Sequence, residues 1–360
     1  MRQNAAVCLP SIMTKEGMRQ MTSRELVYAT LSFQNKSGRA PRHLWVLPWA
    51  DNHYPDELRE IRQSFPDDIS YACTVLREQP VTVGKQFSVG TYVDEWNCTF
   101  ENIQEGVVGE VKHPLVPAED EDWADVSRIH VPEEWLTFDM DEVNRSCAES
   151  DRFMLSGCCP RPFEQLQYIR GTENLYMDLM FPPEGLKEFM KRMHDFYCRL
   201  LERWAKTDVD ALTFMDDWGS QRSLLIHPEI WLEYFFPMYR DYAQIAHSRG
   251  KKLFMHSDGN TLQIFPHLIG IGLDAINSQL FCMGVENLAQ YRGKITFWGE
   301  IDRQHILPYA SEEETAAAVE EVYCALWQDG GCIAQCEFGA GAKPQNVRRV
   351  FETWNRLTQK

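Results

Sequence analysis

The chain has 360 residues, of which 44% are hydrophobic and 25% are charged, a composition that is typical of globular proteins and excludes a disordered or fibrous class. Asp and Glu outnumber Lys and Arg by 53 to 36, and the net charge of −17 argues against nucleic acid binding, which needs clustered basic residues. No apolar run is long enough for a membrane span or a signal peptide, so a cytoplasmic protein without membrane contact is expected.

Residues 1–20 are expected to form an N-terminal arm, and residues 21–360 a single domain in which strands and helices alternate. Short apolar runs predict eight buried strands, at His43–Leu47, Asp68–Tyr71, Arg152–Leu155, Ala211–Met215, Lys252–Met255, Asp274–Asn277, Ile295–Trp298 and Cys332–Gln335. Pro228, a capping box at Ser311 and Glu314, and Pro344 mark the starts of three later helices. Such alternation implies parallel strands joined by right-handed crossovers. We expect an α/β fold of the (β/α)8 TIM-barrel type, with an open doubly wound sheet as the alternative.

Residues 83–123 do not fit a plain barrel, because apolar and polar residues alternate there between turn signals at three glycines. This pattern predicts an inserted β-hairpin or small sheet near the barrel mouth. Within it, Asp94 and Trp96 are candidate substrate contacts, since they place a carboxylate beside an aromatic ring. A solvated hairpin face is the alternative interpretation.

Polar residues follow several predicted strands at the end where barrel enzymes carry their reactive groups. His256 and Asp258 are two residues apart on one strand, so their side chains should point the same way. Cys336 follows the last strand and is expected to reach across the mouth. Imidazole, carboxylate and thiolate together suit zinc with one open position. A buried His–Asp pair and a cysteine used only for packing are the structural alternatives.

Further candidates come from the neighbouring strand ends. Only one of Asp216 and Asp217 can face the mouth, and Asp217 is favoured because it ends the strand. Glu300 is a candidate for proton transfer or for orienting His256. The remaining candidates are the substrate-binding residues Asn277, Trp218 and Trp298, and the cofactor-binding loop glycines Gly339 and Gly341, which could hold a phosphate or carboxylate.

From Met21 onward the chain resembles the uroporphyrinogen decarboxylase superfamily. The resemblance is carried by Asp216-Asp217-Trp218-Gly219, His227-Pro228-Glu229-Ile230-Trp231, His256-Ser257-Asp258-Gly259, Phe297-Trp298-Gly299-Glu300-Ile301-Asp302 and Pro344-Gln345-Asn346-Val347. It implies the barrel independently of the strand count. The decarboxylases of the superfamily carry paired arginines after the first strand, where this chain has His43-Leu44-Trp45-Val46-Leu47, so tetrapyrrole decarboxylation is not expected.

The corrinoid-dependent methyltransferases of the superfamily hold zinc with a His-x-Cys pair and a later Cys. Here the pattern is His256-x-Asp258 with Cys336 following after 77 residues. The resemblance therefore implies a zinc-dependent methyltransferase acting between a small methylated substrate or thiol and a corrinoid. The chain has no Asp-x-His-x-x-Gly corrinoid motif, so cobalamin is expected on a partner protein. The alternatives are a metal-independent decarboxylase and a catalytically inactive barrel; a homodimer is one option for assembly.

Overall fold

The computed structural model describes residues 21–36 and 38–359. The expected arm at residues 1–20 lies outside this part of the chain. The described strands are β1 Arg42–Val46, β2 Ile69–Tyr71, β3 Gly90–Val93, β4 Thr99–Asn102, β5 Glu110–His113, β6 Phe153–Leu155, β7 Ala211–Met215, β8 Lys252–Ser257, β9 Ala275–Ser278, β10 Thr296–Trp298 and β11 Cys332–Phe338.

Helices lie between and around these strands. They are α1 Ser23–Leu31, α2 Pro48–His53, α3 Pro55–Ser64, α4 Met140–Ala148, α5 Pro162–Arg170, α6 Thr172–Met180, α7 Glu184–Trp204, α8 Pro228–Tyr234, α9 Phe236–Ser248, α10 Phe265–Gly270, α11 Leu280–Met283, α12 Val285–Leu288, α13 Ile306–Tyr309, α14 Glu312–Leu326 and α15 Pro344–Thr358, with short 3-10 turns at Val126–Arg128, Glu133–Thr137 and Ala289–Tyr291. None of the helices in the described ranges is both long enough and apolar enough to cross a membrane.

Eight strands form one parallel sheet in the order β1-β11-β10-β9-β8-β7-β6-β2, which confirms the predicted (β/α)8 barrel. The ladder is interrupted between β1 and the three-residue strand β2. Two carboxylates accept hydrogen bonds from β1 at this interruption: Arg42 N donates to Asp68 Oδ2 at 2.8 Å, and Leu44 N donates to Asp67 Oδ1 at 2.7 Å. Side-chain acceptors thus replace part of the missing ladder.

The barrel interior is filled by aromatic and aliphatic side chains rather than by solvent. Phe153, Phe254 and Trp298 contact one another there, together with Ile333 of β11. A second, larger apolar cluster lies between the sheet and the helices. The interior packing closes the barrel below the strand ends, so any site must lie at the mouth.

The inserted region contains an antiparallel sheet of β3, β4 and β5, which is the small sheet of the two predicted forms. Asp94 Oδ1 accepts hydrogen bonds from Trp96 N and Cys98 N, which fixes the turn between β3 and β4. Trp96 then packs against Phe196 and Tyr197 of α7. These contacts hold the insert against the barrel.

Candidate functional site

Three side chains converge at the carboxyl ends of β7 and β8. His256 Nε2 lies 3.5 Å from Asp217 Oδ1 and 3.7 Å from Asp258 Oδ1. One donor atom from each of the three residues lies within 4.8 Å of the others, a geometry that could hold a metal ion. The sequence prediction that His256 and Asp258 point the same way is therefore met by the structure, and Asp217 joins them.

Asn277 orients the His256 ring. The Asn277 amide donates to the Trp298 carbonyl oxygen, which leaves Oδ1 to accept from His256 Nδ1 at 2.6 Å. This assignment makes Nδ1 the protonated nitrogen in the neutral ring and turns the Nε2 lone pair toward the carboxylates. Burial alone would lower the pKa of His256, but the negative charges of Asp217 and Asp258 raise it above its ordinary value.

Two glycines bring the loops that carry these carboxylates into direct backbone contact. Gly259 has a φ of +76°, and a Cβ built on it would lie 1.9 Å from the Gly219 carbonyl oxygen. Gly219 N also donates to Asp258 O at 3.0 Å. Only glycine fits this approach, so the glycines of the Asp-Asp-Trp-Gly and His-Ser-Asp-Gly segments set the spacing between Asp217 and Asp258.

The adjacent Asp216 and Asp217 have different environments. Asp216 is fully buried, where its Oδ1 accepts from Phe163 N and Glu164 N and its Oδ2 accepts from Tyr239 Oη. Asp217 accepts from Asp258 N at 2.8 Å and faces the mouth. Burial, with the charge of Glu164, raises the pKa of Asp217 to about 6. Asp216 therefore anchors the start of α5, whereas Asp217 is available for chemistry.

Arg303 joins three carboxylates at the edge of the cluster. Its Nη2 donates to Asp258 Oδ2, its Nη1 donates to Glu337 at 3.2 Å, and its Nε lies 3.4 Å from Glu300 Oε1. Burial raises the pKa of Glu300 to about 8, although the Arg303 charge opposes this shift. Glu300 thus holds a proton more readily than an ordinary glutamate does.

Several buried polar atoms around the cluster lack a hydrogen-bond partner. They include Asp258 Oδ1, both Glu300 carboxyl oxygens and both polar atoms of the Gln335 amide. Buried polar atoms are rarely left unsatisfied unless a ligand, ion or water meets them. One imidazole and two carboxylates form a donor set that zinc accepts, and the orphaned Asp258 oxygen faces the His256 nitrogen. The residues therefore fit a divalent cation.

Cys336 does not join this cluster, which corrects the sequence expectation. Successive residues of a strand face opposite sides of a sheet. Ile333 belongs to the barrel interior, whereas Ala334, Cys336 and Phe338 pack in the layer between sheet and helices. Burial raises the pKa of the Cys336 thiol far above its ordinary value. The thiol is a packing group on the wrong face for a ligand.

Three expected substrate contacts are also buried packing or positioning residues. Trp218 is fully buried, stacks on Phe163 at 4.0 Å, and donates from Nε1 to Tyr239 Oη. Trp298 lies inside the barrel and donates from Nε1 to His43 Nδ1. Asn277 is committed to His256 and the Trp298 backbone. Each of the three side chains is engaged within the protein, and the substrate-binding role expected for them stays a prediction.

The other two candidate regions line cavities. Asp94 and Trp96 border a cavity of about 750 Å³ beneath the insert. Gly339 and Gly341 border another of about 370 Å³, together with Arg303 and Glu337. The substrate and cofactor roles assigned to these residues stay predictions.

Sequence reasoning missed Arg303, Gln335 and Glu337. Gln335 and Glu337 alternate with apolar residues along β11, and this period of two was the signal that they, rather than Cys336, face the mouth. Arg303 follows Glu300 in the segment Glu-Ile-Asp-Arg. A charged residue three positions after a buried strand-end carboxylate was the only indication of its role.

A family model described as uroporphyrinogen decarboxylase (URO-D) matches residues 103–357, which include all three residues of the cluster. The chain belongs to the URO-D family. No curated protein matches it by sequence.

One solved structure supports the fold of this URO-D family member. A methyltransferase from Methanosarcina mazei has a TM-score of 0.65 and 10% identity, covering 94% of this chain and 99% of that one. A D-psicose 3-epimerase solved with D-fructose matches less well, at TM-score 0.36 and 11% identity, covering 68% of this chain and 88% of that one. At these identities the likeness concerns the fold alone.

Proposed function

We propose that this URO-D family protein is a zinc-dependent methyltransferase that moves a methyl group between a small methylated substrate or thiol and a corrinoid protein. The observation that carries the proposal is the convergence of Asp217, His256 and Asp258 at the carboxyl ends of neighbouring barrel strands. The fold neighbour described as a methyltransferase favours group transfer over the other chemistry of the family.

In this proposal the metal ligands are His256 Nε2 and one oxygen each from Asp217 and Asp258, with Asp217 in the place first assigned to Cys336. A zinc ion bound there would act as a Lewis acid on the oxygen or sulfur that carries or receives the methyl group. Two carboxylates are harder donors than two thiolates, which suits activation of an oxygen. Asn277 keeps the imidazole in the tautomer that this ligand role requires.

Glu300 and Arg303 supply proton handling and positioning. Burial raises the pKa of the Glu300 carboxyl to about 8, so this group would donate a proton to a departing oxygen. Arg303 holds the second oxygen of Asp258, so the first oxygen stays turned toward His256. The corrinoid is proposed to reach the mouth on a partner protein, and residues 21–360 are proposed to act as one domain.

A metal-independent lyase is the second candidate, and one observation favours it. The pKa of His256 is raised by the two carboxylates, so a protonated imidazole would offset part of their charge without a metal ion. In that case Asp217 would stabilise a cationic intermediate, as a carboxylate can do in a decarboxylase. An inactive barrel is the remaining alternative.

Metal content separates these candidates. Wild type, His256→Ala and the matched control His247→Ala would be purified with thiols protected, dialysed against trace zinc, and analysed by mass spectrometry for metal. His247 is a surface histidine that also pairs with a carboxylate, Asp274. We expect near-stoichiometric zinc in wild type and in His247→Ala, with loss in His256→Ala. Metal-free wild type would favour the lyase.

Methyl transfer is the second part of the test. Methylated and free cobalamin would be mixed with candidate acceptors and donors, and the cobalamin spectrum followed. We expect turnover with wild type and His247→Ala but not with His256→Ala. Equal turnover in His256→Ala would remove the zinc mechanism, and zinc binding without turnover on any donor or acceptor would favour the inactive barrel.

A further inference from the structure

The cavity beneath the insert contains an arginine side chain that has no hydrogen-bond or ion-pair partner among the residues that the structure describes. Arg161 follows β6 at the carboxyl end of the barrel strands and borders the cavity. Its guanidinium forms neither a hydrogen bond nor an ion pair with any residue of the described ranges. Arginine has five N–H donors, so a half-buried guanidinium without partners is an open binding group.

The charge of Arg161 persists in this setting. Burial would lower its pKa, but the nearby Glu164 carboxylate and other groups raise it above the ordinary value. Glu164 forms no ion pair with Arg161 in the described part of the chain, and its Oε1 accepts from Tyr168 Oη at 3.0 Å. A buried charge without a direct partner costs free energy that an anionic ligand would recover.

The backbone holds Arg161 in place before any ligand binds. Pro160 and Pro162 flank it, and the Pro160 carbonyl oxygen accepts from Met215 N at 2.8 Å. Pro162 opens α5, whose first turn is held by the Asp216 carboxylate. Fixed φ angles and these bonds reduce the entropy that the backbone would lose on binding.

The rest of the cavity selects the kind of anion. Its walls include the rings of Tyr92, Phe100 and Trp135, and a volume of about 750 Å³ suits a whole small molecule. Asp94 and Glu95 also border it. Their negative charges would repel a dianion more strongly than a monoanion, which favours one carboxylate on an apolar body over a phosphate.

We propose that Arg161 binds the carboxylate of a monocarboxylate substrate with an apolar or aromatic body in the cavity beneath the insert. The two N–H groups of one guanidinium edge would donate in parallel to the two carboxylate oxygens. This inference rests on the proposed function in taking the cavity as the substrate site. Hydrogen bonds to Asp216 hold the start of α5 at the strand end that carries Asp217. A substrate bound to Arg161 would therefore lie beside the cluster of Asp217, His256 and Asp258.

Calorimetry with defined probes tests this assignment without any methyl transfer. The probes are benzoate and 4-phenylbenzoate, each paired with its neutral amide. Wild type is expected to bind at least one carboxylate about ten- to a hundredfold more tightly than the amide, the range of a charge-assisted hydrogen-bonded pair. Arg161→Met should abolish that preference, while Arg161→Lys should retain part of it, because lysine keeps the charge without the bidentate fork.

Two control variants keep the result specific. Arg240→Met removes an exposed arginine that pairs only with its neighbour Asp241, and it should bind as wild type does. His256→Ala should lose metal yet keep the carboxylate preference, so failure of the proposed function would not remove the Arg161 result. Thermal melts verify that each variant is folded. Absence of a carboxylate preference in wild type, or its persistence in folded Arg161→Met, would overturn the proposal.

Discussion

Asp216 and Asp217 provide a direct contrast between a structural and a functional carboxylate. Asp216→Ala removes three hydrogen bonds at 2.8, 2.9 and 2.5 Å, from Phe163 N, Glu164 N and Tyr239 Oη. The donors left behind are buried, and each unsatisfied one costs about 1–3 kcal/mol. Because the α5 turn can partly relax, we expect a total loss of roughly 3–5 kcal/mol in the free energy of unfolding.

Asp217→Ala removes the hydrogen bond from Asp258 N at 2.8 Å and the ion pair with His256 at 3.5 Å, and it also removes a negative charge close to Glu164 and Asp258. The lost contacts cost about 1–2 kcal/mol, and relief of the repulsion between the carboxylates offsets part of this cost. We therefore expect little change in stability but loss of zinc. Urea unfolding of the metal-free proteins gives the stabilities, and zinc titration of the folded proteins gives the affinities.

The two variants should therefore rank in opposite orders in the two assays. Asp216→Ala should be much the less stable, yet its folded fraction should still bind zinc more tightly than Asp217→Ala does. Equal destabilisation by both substitutions, or unchanged zinc affinity in Asp217→Ala, would refute the division of roles between the two carboxylates.

Three further predictions concern the packing around the site. Burial lowers the pKa of His43 to about 3, so unfolding takes up a proton below about pH 6.5 and the free energy of unfolding falls as the pH drops from there toward 3. In urea unfolding between pH 6 and 4, wild type should lose about 1.4 kcal/mol per pH unit relative to His43→Asn. A pH-independent difference between the two proteins would contradict a neutral buried imidazole. Gly259→Ala should lower the free energy of unfolding by at least about 3 kcal/mol and abolish zinc binding, because its Cβ would meet the Gly219 carbonyl. Gly250 also has a positive φ but faces open space, so Gly250→Ala should lower it by only about 1–2 kcal/mol. Equal losses would refute the close approach of Gly259 to Gly219. Arg303→Met should destabilise the protein by roughly 3–5 kcal/mol in the same assay, because it leaves buried carboxylates without their cation, and a neutral effect would show that the three-carboxylate contact is not formed.

Much of the barrel follows from local sequence patterns. Each predicted strand overlaps an observed one, because buried parallel strands read as short apolar runs between helices with recognisable starts. The capping box at Ser311 and Glu314 is present as expected. The open ladder between β1 and β2 was not predictable, because it depends on how the carboxylates of Asp67 and Asp68 meet backbone groups distant in sequence.

The site was predictable where the spacing of residues within one strand decides which side chains meet. It was harder to predict where the facing of a side chain depends on the full length and register of another strand. His256 and Asp258 share a face because they are two residues apart on one strand. Cys336 lies on a different strand, which extends to Phe338 rather than ending at Gln335, and its facing depends on the register of the whole sheet. Trp218 looked like a pocket residue at a strand end, but its indole turns into the helix layer, where Tyr239 accepts its N–H.

Everything proposed for this site depends on His256, Asp217 and Asp258 binding one metal ion together. Anomalous diffraction at the zinc edge, from crystals of wild-type protein grown with stoichiometric zinc, would locate that ion. We expect one strong peak at about 2.0–2.2 Å from His256 Nε2 and from one oxygen of each carboxylate. A peak elsewhere, or a protonated imidazole bridging the two carboxylates with no peak beside it, would show that these residues do not form a zinc site.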